Sequence, residues 1–355
     1  MRFPGFTEPW KKLKFKEILK IGNGKDYKHL EKGDVPVFGS GGLMTRVNQA
    51  LFVGETVFIG RKGSIDRPFY YNGAFWTVDT LFYTHSFSGV YPRFVLYLFQ
   101  NIDWYKYNEA SGVPSLSKKT IENIECSIPS IHEQRKLIKL ISLIDERIAT
   151  QRRLIEDLEK LKSSIVDRVF SDVSGEVVKY RDVLEVSNLR NDGKADYSIL
   201  SASQEFGMIE RESLDIDIKA EAKSVKAYKR VHAGDYILHL RSFQGGLAFA
   251  EVEGICSPAY TILRPNKRLE YGYLKEYFNS PKFIKSLVLV TYGIRDGRSI
   301  NVDEFLEMNI SIHSKNRQAE IVKNLSMFSF KLNVEASILN RYEQQRSYFL
   351  KEMFI

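Results

Sequence analysis

Cysteine is scarce in this chain: two among 355 residues, Cys126 and Cys256, far apart and in no C-x-x-C pair. That excludes a disulfide framework and a cysteine zinc site, and points to a reducing, cytoplasmic setting. No apolar run approaches the roughly 18 residues of a membrane span, and Met1–Phe6 lacks the apolar stretch of a signal peptide. No two of the six histidines have zinc-ligand spacing such as H-E-x-x-H, so each reads as a packing or surface residue. Gly39-Ser40-Gly41-Gly42 is not followed by G-K-[ST] and reads as a tight turn rather than a phosphate cradle. Ser257-Pro258-Ala259-Tyr260 lacks the second proline of an adenine-methyltransferase loop, and no glycine-rich cofactor loop precedes it. D-x-K strings such as Asp217-Ile218-Lys219 are expected by chance among 44 acids and 52 bases. The chain is expected to carry no catalysis, no metal and no cofactor of its own.

What the sequence has is a duplication. Residues from about His132 to Phe170 align without a gap on Asn316 to Phe354 at an offset of 184. Ile141, Ile144, Ile148, Ile155 and Leu158 fall on Leu325, Phe328, Leu332, Leu339 and Tyr342. The steps of 3 and 4 residues describe a narrow coiled-coil seam. Both copies break it in the same two slots, with Gln151 matching Glu335 and Lys162 matching Arg346. Such a period is too long for a solenoid and means two whole domains.

The globular parts repeat more faintly. Gly54-Glu55 aligns with Gly234-Asp235 at an offset of 180, each followed by an apolar strand and an arginine, Arg61 or Arg241. Leu81–Tyr83 falls on Thr261–Leu263 at the same offset. Short aromatic and β-branched runs bounded by glycine predict twisted, β-rich domains. The expected fold is α+β: two pseudo-repeated β-rich domains, 1–131 and 175–315, separated by two long helices, 132–174 and 316–355. Each helix would extend about 58 Å. Connectivity predicts that they pack antiparallel, with Ile141, Ile144, Ile148 and Leu158 against Leu325, Phe328, Leu332, Leu339 and Tyr342, in a dumbbell with an internal two-fold axis.

A net charge of +8 favours a polyanionic partner. Cations sit in glycine- and serine-flanked turns. Lys62, Lys118, Lys119, Lys229 and Arg230 are candidates for phosphate contacts. Arg61, Arg241, Arg295 and Arg298 are candidates for reading bases, with Ser64 and Ser299 in support. The alternative for each is a solvated loop.

Three passages carry a family resemblance. They are Arg2–Phe6 followed by Trp10, Ser111–Ser117, and Ile128-Pro129-Ser130-Ile131-His132-Glu133-Gln134-Arg135. Together they resemble the specificity subunits of type I restriction–modification systems, over essentially the whole chain. The second junction departs, reading Ile312-His313-Ser314-Lys315-Asn316-Arg317-Gln318. The resemblance implies a non-catalytic subunit that reads a split, asymmetric site in double-stranded DNA. It implies docking of two modification subunits carrying S-adenosylmethionine, and of restriction subunits using ATP and Mg. A coiled-coil adaptor whose end domains bind proteins is the competing reading.

Overall fold

The computed structural model describes residues 2–3, 5–172, 175–193, 197–203, 206–213, 227–239, 241–293 and 299–354. Contacts divide the chain into two units: Met1–Arg152 with Ser337–Ile355, and Arg153–Ala336. The long helices are therefore not separate domains, because each contributes one part to either unit. No helix among the described residues is long and apolar enough to cross a membrane.

Unit 1 begins with β1 (Lys11–Lys14), the single turn α1 (Phe15–Ile18) and β2 (Lys20–Asn23). Then come β3 (Val35–Gly39), β4 (Gly42–Val47), β5 (Phe52–Gly60), β6 (Phe69–Thr77) and β7 (Leu81–His85). Helix α2 (Pro92–Gln100), helix α3 (Lys118–Asn123) and β8 (Glu125–Ile128) complete it before helix α4 (Ile131–Val169). The six-stranded sheet runs β2-β7-β5-β6-β3-β4, and β1 pairs with β8. Alternation along β5 sends Val57 and Ile59 into a core with Phe15, Phe94 and Phe99, and Phe58 into an aromatic cluster with Phe75 and Leu81.

Unit 2 contains β9 (Glu176–Lys179), β10 (Leu184–Ser187), β11 (Leu200–Ser203), β12 (Gly207–Glu210), β13 (Lys229–Val231) and β14 (Tyr236–Leu238). They are followed by α5 (Ser242–Gly245), β15 (Ala248–Phe249), β16 (Gly254–Cys256), β17 (Thr261–Pro265) and α6 (Pro281–Ser286). The unit ends with β18 (Thr291–Tyr292), β19 (Ser299–Ile300), α7 (Val302–Glu307), β20 (Asn309–Ile312) and the first part of α8 (Lys315–Met353). Its main sheet runs β10-β17-β14-β15, and β20 pairs with β9.

This order matches β2-β7-β5-β6, and the residue count between equivalents changes along the chain. Lys14-Phe15-Lys16-Glu17-Ile18-Leu19 corresponds to Lys179-Tyr180-Arg181-Asp182-Val183-Leu184 at 165. In both copies the acid accepts the backbone N–H of the leading lysine, Glu17 from Lys14 and Asp182 from Lys179. In the sheets, Phe58 pairs with Tyr83 as Ile237 pairs with Ile262, 237 against 58 and 262 against 83, so the count there is 179. From Ser115 and Ser299 onward the count is 184.

The offset of 180 expected for the strands is therefore corrected by one. A slip of one residue would carry every side chain to the opposite face. At 179, Val57 and Ile59 correspond to Tyr236 and Leu238, which face the core of unit 2, whereas Phe58 corresponds to Ile237 on the other face. At this count Arg241 corresponds in sequence to Lys62, and Arg61 and Arg241 are not equivalents.

Both long helices are 39 residues, each one position ahead of the repeated segments 132–170 and 316–354, and they end before the expected bounds of 174 and 355. Within unit 1, Asp145 meets Arg346 at 2.5 Å and Arg152 meets Glu343 at 2.5 Å, one number rising as the other falls, so the segments are antiparallel. Ile141, Ile144 and Ile148 are buried there, and Arg147 lies 5.9 Å from the ring centre of Tyr342. Ile141 shares its core with Leu350, Met353 and Phe354. In unit 2, Leu325 shares a core with Val166 and Phe170. Of the two sets expected to face each other, Ile141 and Leu325 therefore fall in the cores of different units, because an antiparallel register seats the start of each helix in its own unit. Ile155, Leu158, Phe328, Leu332, Leu339 and Tyr342 are half-buried along the seam.

The shared polar slots are occupied by contacts. Arg346 also donates to Gln100 at 2.7 Å, and Lys162 meets Glu276 at 2.6 Å, where Ser329 donates to the same carboxylate. Gln151 and Glu335 are buried, and Glu335 pairs with Lys331.

The buried polar anchor of the unit 2 sheet is Asp235, only 2% exposed in its side chain, which receives both arms of the Arg264 guanidinium at 2.9 and 2.8 Å. It also accepts the His232 N–H at 2.8 Å. Asp235→Ala is expected to destabilise unit 2 by about 3 kcal/mol, since it strands a guanidinium and an amide. Urea denaturation followed by tryptophan-independent far-UV dichroism checks this. A loss below about 1 kcal/mol would show the pair to be dispensable.

Candidate nucleic-acid interface

The loop leaving β5 is held mainly by backbone bonds. The N–H groups of Arg61 and Lys62 both donate to the Thr80 carbonyl, at 2.8 and 3.2 Å. Gly63 N–H donates to Pro114 O and Leu116 N–H donates to Arg61 O, each at 2.9 Å. Gly63 has φ +87°, and a Cβ there would meet the Ser40 hydroxyl at 3.3 Å, so glycine serves both the turn and the close approach. Asn108 Oδ1 accepts the N–H groups of Ala110 and Ser115, closing the opposing loop. Ser117 accepts Thr120 N–H at 3.1 Å and starts α3, which presents Lys118.

These segments enclose an open cleft of about 430 Å³ lined by Arg61, Lys62, Lys118, Glu109, Ser115 and Ser117. Three cations thus face one carboxylate. The Thr120 and Ser117 hydroxyls hold the Glu109 carboxyl below its ordinary range, so it stays ionised. Positive charge dominates nonetheless. His85 nearby is lowered first by burial and then by the Lys20 and Lys118 cations.

Lys62 is exposed, whereas Arg61 is half-buried. The Arg61 guanidinium donates to Asp79 O at 3.3 Å and lies 6.0 Å from the Phe82 ring centre. Lys118 makes only a surface pair with Glu122 at 3.6 Å. Lys119 is exposed on α3 and Ser64 half-buried, and neither lines the cleft.

In unit 2 the candidates are scattered. Lys229 Nζ donates to Tyr260 O at 2.7 Å, and the Arg230 guanidinium lies 4.6 Å from the Tyr197 ring centre. Both cations are half-buried and engaged within the domain. Arg241 is exposed in the turn before α5, and Ser299 is exposed at the start of β19, paired with Tyr292. Arg295 and Arg298 lie outside the described residues.

Sequence reasoning passed over the β3–β4 hairpin. Gly39 pairs with Gly42 there, and Leu43 and Met44 beyond it are 58% and 54% exposed, on the strand whose tip carries Ser40 beside Gly63. The double glycine marked a turn. Nothing in the sequence marked what the turn would lie beside.

Residues 7–160, which include the whole cleft, match the family described as the type I restriction modification DNA specificity domain. A stretch of 63 residues is 33% identical to the type I restriction enzyme MjaVIII specificity subunit of Methanocaldococcus jannaschii, spanning 18% of this chain and only 15% of that relative. The fold is similar to the S subunit of a type I restriction-modification system from M. genitalium, with a TM-score of 0.63 at 14% identity, over 100% of this chain and 99% of that one. It is also similar to a chain in a solved structure concerned with complex assembly and conformational transition of the type I R-M system. There the TM-score is 0.59 at 14% identity, over 98% and 97% of the two chains.

Proposed function

Because residues 7–160 match the type I restriction modification DNA specificity domain family, we propose that the whole chain is the DNA sequence-specificity subunit of such a system. The observation that carries this reading is the family match over the unit that holds the Arg61–Lys62–Lys118 cleft, joined to a second unit with the same strand order. Two copies of one scaffold with different loops suit a split, asymmetric target, each unit reading one half-site. The paired helices would keep the half-sites at a set separation, leaving unread base pairs between them.

In the cleft, Lys62 and Lys118 would hold phosphate oxygens. Arg61, already fixed by Asp79 and Phe82, would present its remaining donors to a base edge. The chain itself performs no bond chemistry. Two modification subunits would bring S-adenosylmethionine and flip the target adenine, and restriction subunits would add ATP- and Mg-dependent cleavage. The complex would act on double-stranded DNA in the cytoplasm.

The test is binding of the chain, assembled with its modification subunits, to a panel of single-base variants of a site found by methylome sequencing. Arg61→Ala is expected to relax one position of one half-site by about 1–3 kcal/mol and to leave the other half-site untouched. Binding that ignores base sequence in the unsubstituted assembly would remove the reading in favour of a coiled-coil adaptor.

A further inference from the structure

One side chain is used identically at both domain–helix junctions. Gln134, fully buried in the first turn of α4, accepts the Tyr91 N–H at 3.0 Å and donates to the carbonyls of Gly89 and Pro129 at 3.0 and 3.1 Å. Gln318, 1% exposed in the first turn of α8, accepts the Glu270 N–H at 2.8 Å and donates to the carbonyls of Arg268 and His313 at 3.0 and 2.8 Å. The partners correspond pair by pair at the counts of 179 and 184, yet arginine replaces glycine, glutamate replaces tyrosine and histidine replaces proline in the second copy. That divergence is harmless because only backbone atoms are used.

The central side chain has no such freedom. One acceptor and two donors must sit in one plane, out of water. Glutamate lacks the donors, lysine lacks the acceptor, and asparagine is one methylene short. Any of these would leave buried peptide groups unpaired. Each glutamine also ties three pieces together: the segment entering the helical layer (Gly89–Tyr91 or Arg268–Glu270), the exit of the last strand (Pro129 or His313), and the first helical turn. A helix tied in this way cannot rotate about its own axis against the recognition domain.

We propose that Gln134 and Gln318 are positioning residues that set the rotational phase of each recognition domain on its helix, and thereby the one spacer length between half-sites that the protein tolerates. The proposal rests on the bipartite reading above. One base pair of spacer turns a half-site by about 35° and moves it by about 3.4 Å, at roughly ten base pairs per turn. A reader with a loosened phase would accept that change.

The experiment uses the full chain assembled with modification subunits. It measures affinity for the target with its natural spacer and with spacers one base pair longer and shorter. Gln134→Ala and Gln318→Ala are each expected to lower the preference for the natural spacer about tenfold, while base preferences inside both half-sites stay as in the parent. Should Gln134→Ala fail to fold, Gln134→Glu keeps the acceptor for Tyr91 and removes only the donors, and the same result is expected. An unchanged spacer preference with a lower melting temperature would make the glutamines merely structural and overturn the proposal. Altered base preference in a half-site would overturn it too, by placing them in reading. If the parent assembly discriminated among bases in only one block, with no spacer, the bipartite reading itself would fall, and this outcome is seen before any substitution is made.

Discussion

Ile141→Asp is expected to unfold unit 1, at a cost of about 5 kcal/mol. Ile141 is fully buried among Leu137, Phe94, Leu350, Met353 and Phe354, where the start of one helix, the end of the other and α2 share a core. Truncating such a side chain removes roughly 2–5 kcal/mol through lost burial and a residual cavity. A carboxylate placed there adds desolvation of several kcal/mol, relieved only by protonation. Domains hold about 5–15 kcal/mol in total, so the variant should lose the cooperative transition of unit 1. Leu143→Asp, two residues on and 49% exposed, is the control and should change stability by less than about 0.5 kcal/mol. Calorimetry on the full chain distinguishes them. If the two variants melted alike, the packing of this seam as described would be wrong.

Reversing the charge of the cleft with Lys62→Glu and Lys118→Glu together should weaken DNA binding on every sequence alike. Each lost phosphate contact lowers the salt slope by roughly 0.9, so two lower it by about 1.8, or about 30-fold in affinity at 0.15 M salt. Repulsion by the new carboxylates beside Glu109 adds to this at low ionic strength. The ranking of sites in a base panel should survive, in contrast to Arg61→Ala, which alters the ranking at one position. A salt slope unchanged by the double reversal would move the phosphate contacts elsewhere on the protein.

The helices were legible because an apolar step of 3 or 4 residues is a local signal, and the repeated segments 132–170 and 316–354 came out within one position. The duplication was legible there for the same reason, since a seam tolerates no insertions. In the globular parts it was blurred by loops: equivalents lie 165, 179 or 184 residues apart, and no single offset aligns them. The repeated Lys14–Leu19 and Lys179–Leu184 passages escaped notice for that reason. So did the one-residue error that matched Arg61 with Arg241. A lysine in a turn also looks the same whether it is free, like Lys62, or donating to a carbonyl, like Lys229.

The sequence by itself determined the helical seam, the two-fold repetition, the β-rich character of both halves and the basic charge, because each is written in composition or short-range periodicity. Only the tertiary structure decided which cations share a cleft, which face each strand residue takes and which glutamine carbonyls and amides meet. Those depend on strand register and on backbone atoms brought together from residues such as Gly89, Tyr91 and Pro129, and backbone atoms are the same in every sequence.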